Sequence, residues 1–295
     1  MKSGFVGIIG RPNVGKSTLL NALIGEKISI ISAKAQTTRN AIIGVFNDDD
    51  SQIVFTDTPG VHQAKNQLGN FMNREAFNQI DGVDLVYYLF DGTKSFKDED
   101  ERILDYVFKV QERVFLLITK IDLISKEKLI KLITYLADKY SFSEIIPISS
   151  IKYDNLDELI KTTKNYLNDD LAYYDTVTNV SDNFRIAEIV REKILNNFYQ
   201  EIPHQLATVV ENVRYTDKRA FISVLIIVGK DSHKSIIIGK GGTSLKKINY
   251  ESSKDLKVLL DKKVFLSLHV KVDRDWFNNE NKLTRYGFSL KMQDE

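Results

Sequence analysis

The sequence predicts an α/β domain built on a mostly parallel sheet with helices on both faces, followed by a smaller α+β domain. Three observations carry this. Apolar strand-like runs alternate with helix-period segments over residues 1–167. A polar, aperiodic stretch, "NDDLAYYDTVTNVSDN" at 168–183, then interrupts the pattern and reads as a linker. Over 184–295 the order changes to helix, two strands, two helices and a strand. A chain of 295 residues is long for one domain and suits two.

In the first part, the apolar run at 5–10 ends in glycine and reads as a buried strand. "KSTLLNALIG" follows with helical spacing and Gly25 as its C-cap. "AIIGVF" (41–46) and "QIVFT" (52–56) flank a polar turn, so they are expected to form an antiparallel hairpin at one sheet edge. "DLVYYLFD" (84–91), "RVFLLIT" (113–119) and "EIIPISS" (144–150) are further strands, and helices are expected at 66–80, 98–110, 126–139 and 155–168. In the second part, Asp182 is the expected cap of "FRIAEIVREKILNNFYQ". "LATVVENVRY" and "AFISVLIIVG" form a hairpin across "TDKR". "SIIIGKGGTSLKKINYESSKDLKVLLD" is helix, glycine loop, helix, and "VFLSLHVKV" is the strand expected to close the domain.

Composition sets outer limits. Hydrophobic content of 43% and charged content of 27% suit an ordinary globular core. The absence of cysteine excludes a disulfide scaffold, a cysteine zinc site and a thiol nucleophile, and it suits a reducing compartment. No secretory leader is expected, because the first residues run straight into a motif. Apolar runs such as "FISVLIIVG" are too short to span a bilayer. Net charge is only +1, yet ten lysines face four acidic residues between Gly229 and Val272. Such a stretch is usually a solvated face; a nucleic-acid motif in the same place changes its meaning.

"GRPNVGKS" at 10–17 fits G-x-x-x-x-G-K-[ST] between a strand and a helix, the context a phosphate-binding loop requires. Gly10 and Gly15 let the backbone approach phosphates, and the loop N–H groups and helix N-terminus supply partial positive charge. Lys16 would span the β- and γ-phosphates, and Ser17 would ligate Mg²⁺. Arg11, Pro12, Asn13, Val14 and Thr18 complete the nucleotide-contacting segment.

"TKID" (119–122) selects the base. Asp122 would accept from guanine N1–H and N2–H₂, whereas adenine would leave its carboxylate unpaired. Lys120 would lay its stem along the base and the phosphate loop; Thr119 stands where Asn is usual. Ser149, Ser150 and Ile151 occupy the segment that covers guanine O6. "QTTRN" (36–40) is placed to supply a switch threonine, Thr38 or its neighbour Thr37. In "DTPGV", Asp57 would hold the metal through water and the Gly60 N–H would meet the γ-phosphate, with Thr58, Pro59 and Val61 beside them. Loss of that phosphate should release both loops. Val61 stands where many such loops carry a water-holding glutamine, and Gln63 comes two residues too late to be a substitute. These elements, in order, read as a P-loop GTPase domain.

"IIGKGG" (237–242) between two helices is the signature of a KH domain, and the element order is that of type II. Gly239, Lys240, Gly241 and Gly242 form the loop that would meet a nucleic-acid backbone, with Lys234, Lys246 and Lys247 nearby. "GRPNVGKST", "QTTR" and "DTPGVH", joined to "AEIVREKI", "EIPH", "IIIGKGG" and "LHVKVDRDW", resemble the Era family of bacterial GTPases over nearly the whole chain.

The resemblance implies GTP hydrolysis with GDP as product and a small set of catalytic groups, Lys16, Thr38 and Gly60. It also implies binding of the small-subunit (16S) rRNA 3′ end through the KH domain, and a role in maturing the 30S subunit. It implies Thr38 as the Mg²⁺ ligand, and Asn13 as a candidate ligand for K⁺ beside the phosphates. Peripheral membrane contact is implied by the family alone, and no anchor is visible. Ala35 stands where the family often has proline. A slow intrinsic rate and a cytoplasmic monomer are expected. Two other readings compete: an rRNA chaperone with negligible hydrolysis, and a P-loop ATPase or kinase, which "TKID", "DTPG" and the KH-like segment oppose.

Overall fold

The computed structural model describes the chain except residues 33, 35–36, 199–204 and 289–295. Ala35, Gln36, the last two residues of the helix expected at 184–200, the "EIPH" segment and the C-terminal tail therefore lie outside the described residues. The chain forms two compact units. One comprises 1–31, 38–63 and 72–179; the other comprises 32–37, 64–71 and 180–295.

The first unit is built on β1 (Lys2–Gly10), β2 (Ile42–Asn47), β3 (Ser51–Asp57), β4 (Leu85–Asp91), β5 (Val114–Thr119) and β6 (Glu144–Pro147), in sheet order β2-β3-β1-β4-β5-β6. All neighbours on this path are parallel except β2 and β3, the expected edge hairpin. Every residue of β3, β4 and β5 is buried. That is why these strands read as continuous apolar runs rather than alternating ones: helices cover both faces. The helices are α1 (Lys16–Ile24), α2 (Gln67–Asn78), α3 (Asp98–Val110), α4 (Lys126–Lys139) and α5 (Leu156–Lys164).

Register brings the motifs together. Ile8 of β1 pairs with Asp57 of β3, Gly10 pairs with Leu89 of β4, and Asp91 pairs with Thr119 of β5. The phosphate loop, Asp57 and "TKID" therefore leave neighbouring strands at one carboxyl edge, where open α/β sheets hold their ligands.

In the first unit two expectations shift. The helix expected at 155–168 stops at Lys164, where the Asn165 N–H caps the carbonyls of Thr162 and Thr163. The next residues form a short strand, β7 (Asn168–Asp169), antiparallel to the start of β1. The segment read as linker then runs along the first unit. The Val45 N–H donates to the Val177 carbonyl, Ser3 donates to Leu171 and Thr178 donates to Ile43. An edge strand with unpaired backbone groups gives this polar stretch its partners.

The second unit runs α6 (Asp182–Asn197), β8 (Leu206–Tyr215), β9 (Arg219–Val228), α7 (Asp231–Ile238), α8 (Thr243–Leu260) and β10 (Lys263–Val272). Ser181, rather than Asp182, caps α6: its hydroxyl accepts from the Phe184 N–H at 3.3 Å. Asp182 falls in the first turn, where a negative charge suits the helix N-terminus. The sheet order is β10-β9-β8, with β10 parallel and β8 antiparallel to β9. Ile186, Val190 and Ile194 of α6 pack with Ile222, Val224 and Ile226 of β9 and with Ile248 and Leu256 of α8.

β10 does not close the unit as expected. A 3₁₀ turn at Trp276–Asn278 and α9 (Glu280–Arg285) follow, and buried Trp276 packs on Tyr286 and Phe288. Among the described residues no helix is long and apolar enough to cross a membrane.

Candidate nucleotide site and nucleic-acid interface

The phosphate loop wraps the N-terminus of α1. Gly10 and Gly15 take φ of 156° and 105°, and Asn13 takes 64°, a conformation asparagine tolerates better than most residues. A Cβ on Gly10 would sit 2.6 Å from the Leu89 carbonyl oxygen. Buried Lys16 donates to the carbonyls of Gly10 (3.2 Å) and Arg11 (3.0 Å), which hold its ammonium inside the loop. Burial pushes Lys16 down to about 8, and nearby Asp57 offsets part of that effect. Burial likewise pushes Asp57 up, against the pull of Lys16 and the hydroxyls around it.

Those hydroxyls outline a metal cradle. Ser17 donates to Asp57 Oδ2 at 2.6 Å, Ser29 at 3.0 Å and Thr38 at 3.3 Å, while the Ser17 and Thr38 hydroxyls lie 2.7 Å apart. Thr37 is turned elsewhere, with its hydroxyl donating to the Lys34 carbonyl at 2.7 Å. Of the two candidate threonines, Thr38 is therefore the one beside Ser17 and Asp57. The second Asp57 oxygen, Oδ1, is buried without a hydrogen bond. A buried carboxylate oxygen left so is costly, and a hydrated Mg²⁺ supplies the missing donors. The residues present fit that ion.

After Asp57 the chain turns sharply. The Thr58 hydroxyl donates to the Ile8 carbonyl at 2.7 Å, so this side chain pins the loop to β1 rather than facing nucleotide. A Cβ on Gly60 would lie 2.8 Å from the Pro12 backbone, so only glycine fits against the phosphate loop here. Val61, grouped by sequence with the nucleotide-contacting residues, is corrected by its burial. Its side chain belongs to the core with Ile9, Tyr88 and Ile103, and its N–H donates to Gly10 O at 3.2 Å. His62 is held locally, its Nδ1 2.9 Å from Gly60 O, and Gln63 is exposed.

The base-reading residues join the same loop. Thr119 donates to the Val14 carbonyl at 2.7 Å and the Phe90 carbonyl at 3.2 Å. A hydroxyl in the place of the usual Asn amide thus ties β5 to the phosphate loop. Lys120 donates to Asn13 O at 2.8 Å and Asp91 Oδ2 at 2.6 Å. Ser149 donates to Asp122 Oδ1 at 2.6 Å. Ser150 is half-buried, and the Ile151 side chain stays 70% exposed, not drawn into the cluster.

In the second unit the glycine loop joins α7 to α8. Gly239, Gly241 and Gly242 all have positive φ. A Cβ on Gly239 would lie 2.9 Å from Ser244 Cβ, whereas one on Gly241 would meet open space. Lys240 and Lys246 are exposed; Lys234 is half-buried; Lys247 is exposed and 3.8 Å from Glu251. Small residues and exposed lysines near a helix start suit a phosphate backbone.

A profile of 50S ribosome-binding GTPases matches residues 5–120, and a KH-domain profile matches residues 201–277. A crystal structure of Era in complex with MgGDPNP and nucleotides 1506–1542 of 16S ribosomal RNA is 37% identical to this chain. The match covers 98% of this chain and 100% of that one, with a TM-score of 0.95. The chain belongs to the Era family. A point variant of Aquifex aeolicus Era bound to GDP and AlF₄⁻ matches with the same identity, coverage and TM-score.

As an Era-family GTPase the chain hydrolyses GTP, and its site includes groups that motif reading missed. Ser29 lies 28 residues from the Asp57 it donates to, and no pattern marks it. Asp100 is buried and accepts from Arg11 (3.1 Å), the Lys97 N–H (3.0 Å) and Tyr88 (2.9 Å), clamping the phosphate loop to α3. Asp91 did carry a signal: it ends β4 as Asp57 ends β3.

Proposed function

We propose that this Era-family GTPase is a GTP-controlled switch that binds the 3′ end of 16S rRNA through its KH unit and assists maturation of the 30S subunit. One observation carries the reading. The phosphate loop, the Ser17–Thr38–Asp57 cluster and "TKID" converge in one unit, and a positive-φ glycine loop stands in the other. The chain has this pairing in common with Era, whose structure holds MgGDPNP and 16S rRNA nucleotides together.

In this reading Lys16 spans the β- and γ-phosphates, and Ser17, Thr38 and Asp57 are the residues that would hold Mg²⁺. The ion, when bound, neutralises charge shared between the phosphates. Thr38 and the Gly60 N–H sense the γ-phosphate, so its loss frees both loops. Because Val61 is in the core, it does not hold the attacking water. Asn13 is exposed in the loop, where K⁺ at its side chain would add charge stabilisation. We place the protein in the cytoplasm as a monomer, where its rRNA partner is; peripheral membrane contact rests on family resemblance alone.

The test is GTP hydrolysis with and without an oligonucleotide of the rRNA 3′ end. Slow intrinsic turnover, faster with RNA, is expected. Equal rates with specific RNA binding would leave a chaperone rather than a switch. Exchanging K⁺ for Na⁺ should slow turnover several-fold, and equal rates in the two salts would remove the ion from Asn13.

A further inference from the structure

Strand alternation divides the second unit's sheet into two faces. Ala220, Ile222, Val224, Ile226 and Val228 of β9 belong to the core beneath the helices. The alternate residues of β9 and β10 are on the other face: Arg219, Phe221 and Ser223, with Lys263, Phe265 and Ser267. In sheet register Arg214 of β8 lies opposite Phe221, and Phe221 lies opposite Phe265. The next row sets Arg219 beside Lys263.

One end of this face is therefore a row of cation, ring and ring, with more cations below it. The Phe221 and Phe265 rings are 5.0 Å apart and within 11° of parallel. Arg214 Cζ stands 4.8 Å from the Phe221 centroid; Arg219 Cζ and Lys263 Nζ stand 5.9 and 5.4 Å from that of Phe265. Phe265 is 40% exposed. An open depression of about 460 Å³ is lined by Arg214, Thr216, Asp217, Lys218, Arg219 and Phe221, three cations against one carboxylate. Among the described residues none of Arg214, Lys218, Arg219, Lys262 and Lys263 forms an ion pair, and the nearby acids are Asp217, Glu211 and Asp261.

An aromatic pair of one half-buried and one exposed ring in a cross-strand ladder stabilises a sheet only modestly. Uncompensated guanidinium groups packed on aromatic faces and opening onto a depression are instead the parts of a single-stranded nucleic-acid platform. An acidic protein surface would meet the same cations, and the RNA and 30S readouts of the experiment separate the two.

We propose that this end of the open sheet face is a second RNA-binding surface, separate from the glycine loop on the helical side. A base stacks on Phe265, and the adjoining phosphates take Arg214, Arg219 and Lys263. The proposal rests on the reading of the chain as RNA-binding and extends the length of RNA it holds.

The experiment measures affinity of the full chain for two RNAs: a short 3′-end oligonucleotide, and the 16S fragment of nucleotides 1506–1542 found with a relative. Each is titrated across a salt series. The triple variant R214A/R219A/K263A should bind the short RNA within about twofold of wild type. It should bind the long fragment at least tenfold more weakly, with a salt slope shallower by about 2, since each lost single-strand phosphate contact removes about 0.7.

Phe265→Leu keeps an apolar side chain and the charges, and should lower long-fragment affinity several-fold without moving the salt slope. Unchanged long-fragment binding in both variants overturns the proposal. So does loss of 30S association with RNA affinity intact, which would assign the surface to a protein. Gly241→Asp probes the glycine loop alone. If it leaves short-RNA binding intact, the KH reading fails, and the sheet face is judged separately by its own variants.

Discussion

The Asp122 carboxylate accepts from Ser149 at 2.6 Å through Oδ1, which fixes its orientation before any base arrives. Replacing it with asparagine keeps the shape and swaps one acceptor for a donor. Asp122→Asn should lower affinity for GTP at least tenfold and raise it for xanthine nucleotides, whose 2-oxo group accepts where guanine donates. Competition against labelled GDP reads this directly, and unchanged guanine preference would remove Asp122 from the base pocket.

Val61 shows where residue-level reading ends. The sequence places it in the position of a catalytic glutamine, but only packing shows its side chain inside the core. Val61→Gln should therefore not create a faster enzyme. It should bury an amide without partners, destabilise the fold by about 2 kcal/mol and leave hydrolysis no faster. A rate increase with an unchanged melting midpoint would contradict this account. Ser29 and Asp100 were invisible for a related reason. Their roles depend on strand register and helix docking, not on any spacing written along the chain.

Among elements, those with a strong local cause were legible. The buried strands β3, β4 and β5 announce themselves as apolar runs, and the phosphate loop lies between a strand and a helix as its chemistry demands. Boundaries set by competition were not. Ser181 and Asp182 are both capping residue types, and the backbone of Phe184 decides between them. The glycine loop allows a sharp test because its glycines differ. Gly239 is crowded by Ser244, whereas Gly241 faces open space with a φ of 62°, a conformation aspartate tolerates. Gly241→Asp should thus fold normally, set a carboxylate against the RNA backbone and weaken rRNA binding at least tenfold with GTP binding retained. Filter binding of both ligands measures it. Full RNA affinity in a folded variant would sink the assignment of this loop.

At the scale of the molecule, each unit has its own core: Ile9, Tyr88 and Ile118 belong to one, Ile186, Val224 and Ile248 to the other. Two cores that share no residue can unfold in separate steps, and a ligand stabilises only the step that destroys its site. GDP at about 100 times its dissociation constant adds about 2.7 kcal/mol to the first unit. For a domain of that size this raises the midpoint by about 5–10 °C. The rRNA 3′-end oligonucleotide should raise the other transition by an amount that shrinks with added salt, since its binding releases counterions. Calorimetry of the full chain with each ligand in turn separates the cases. Two transitions, each moved by one ligand, are expected. A single transition moved equally by both would mean that the units unfold as one cooperative body, and that energy put into the nucleotide site is felt at the RNA site through stability itself.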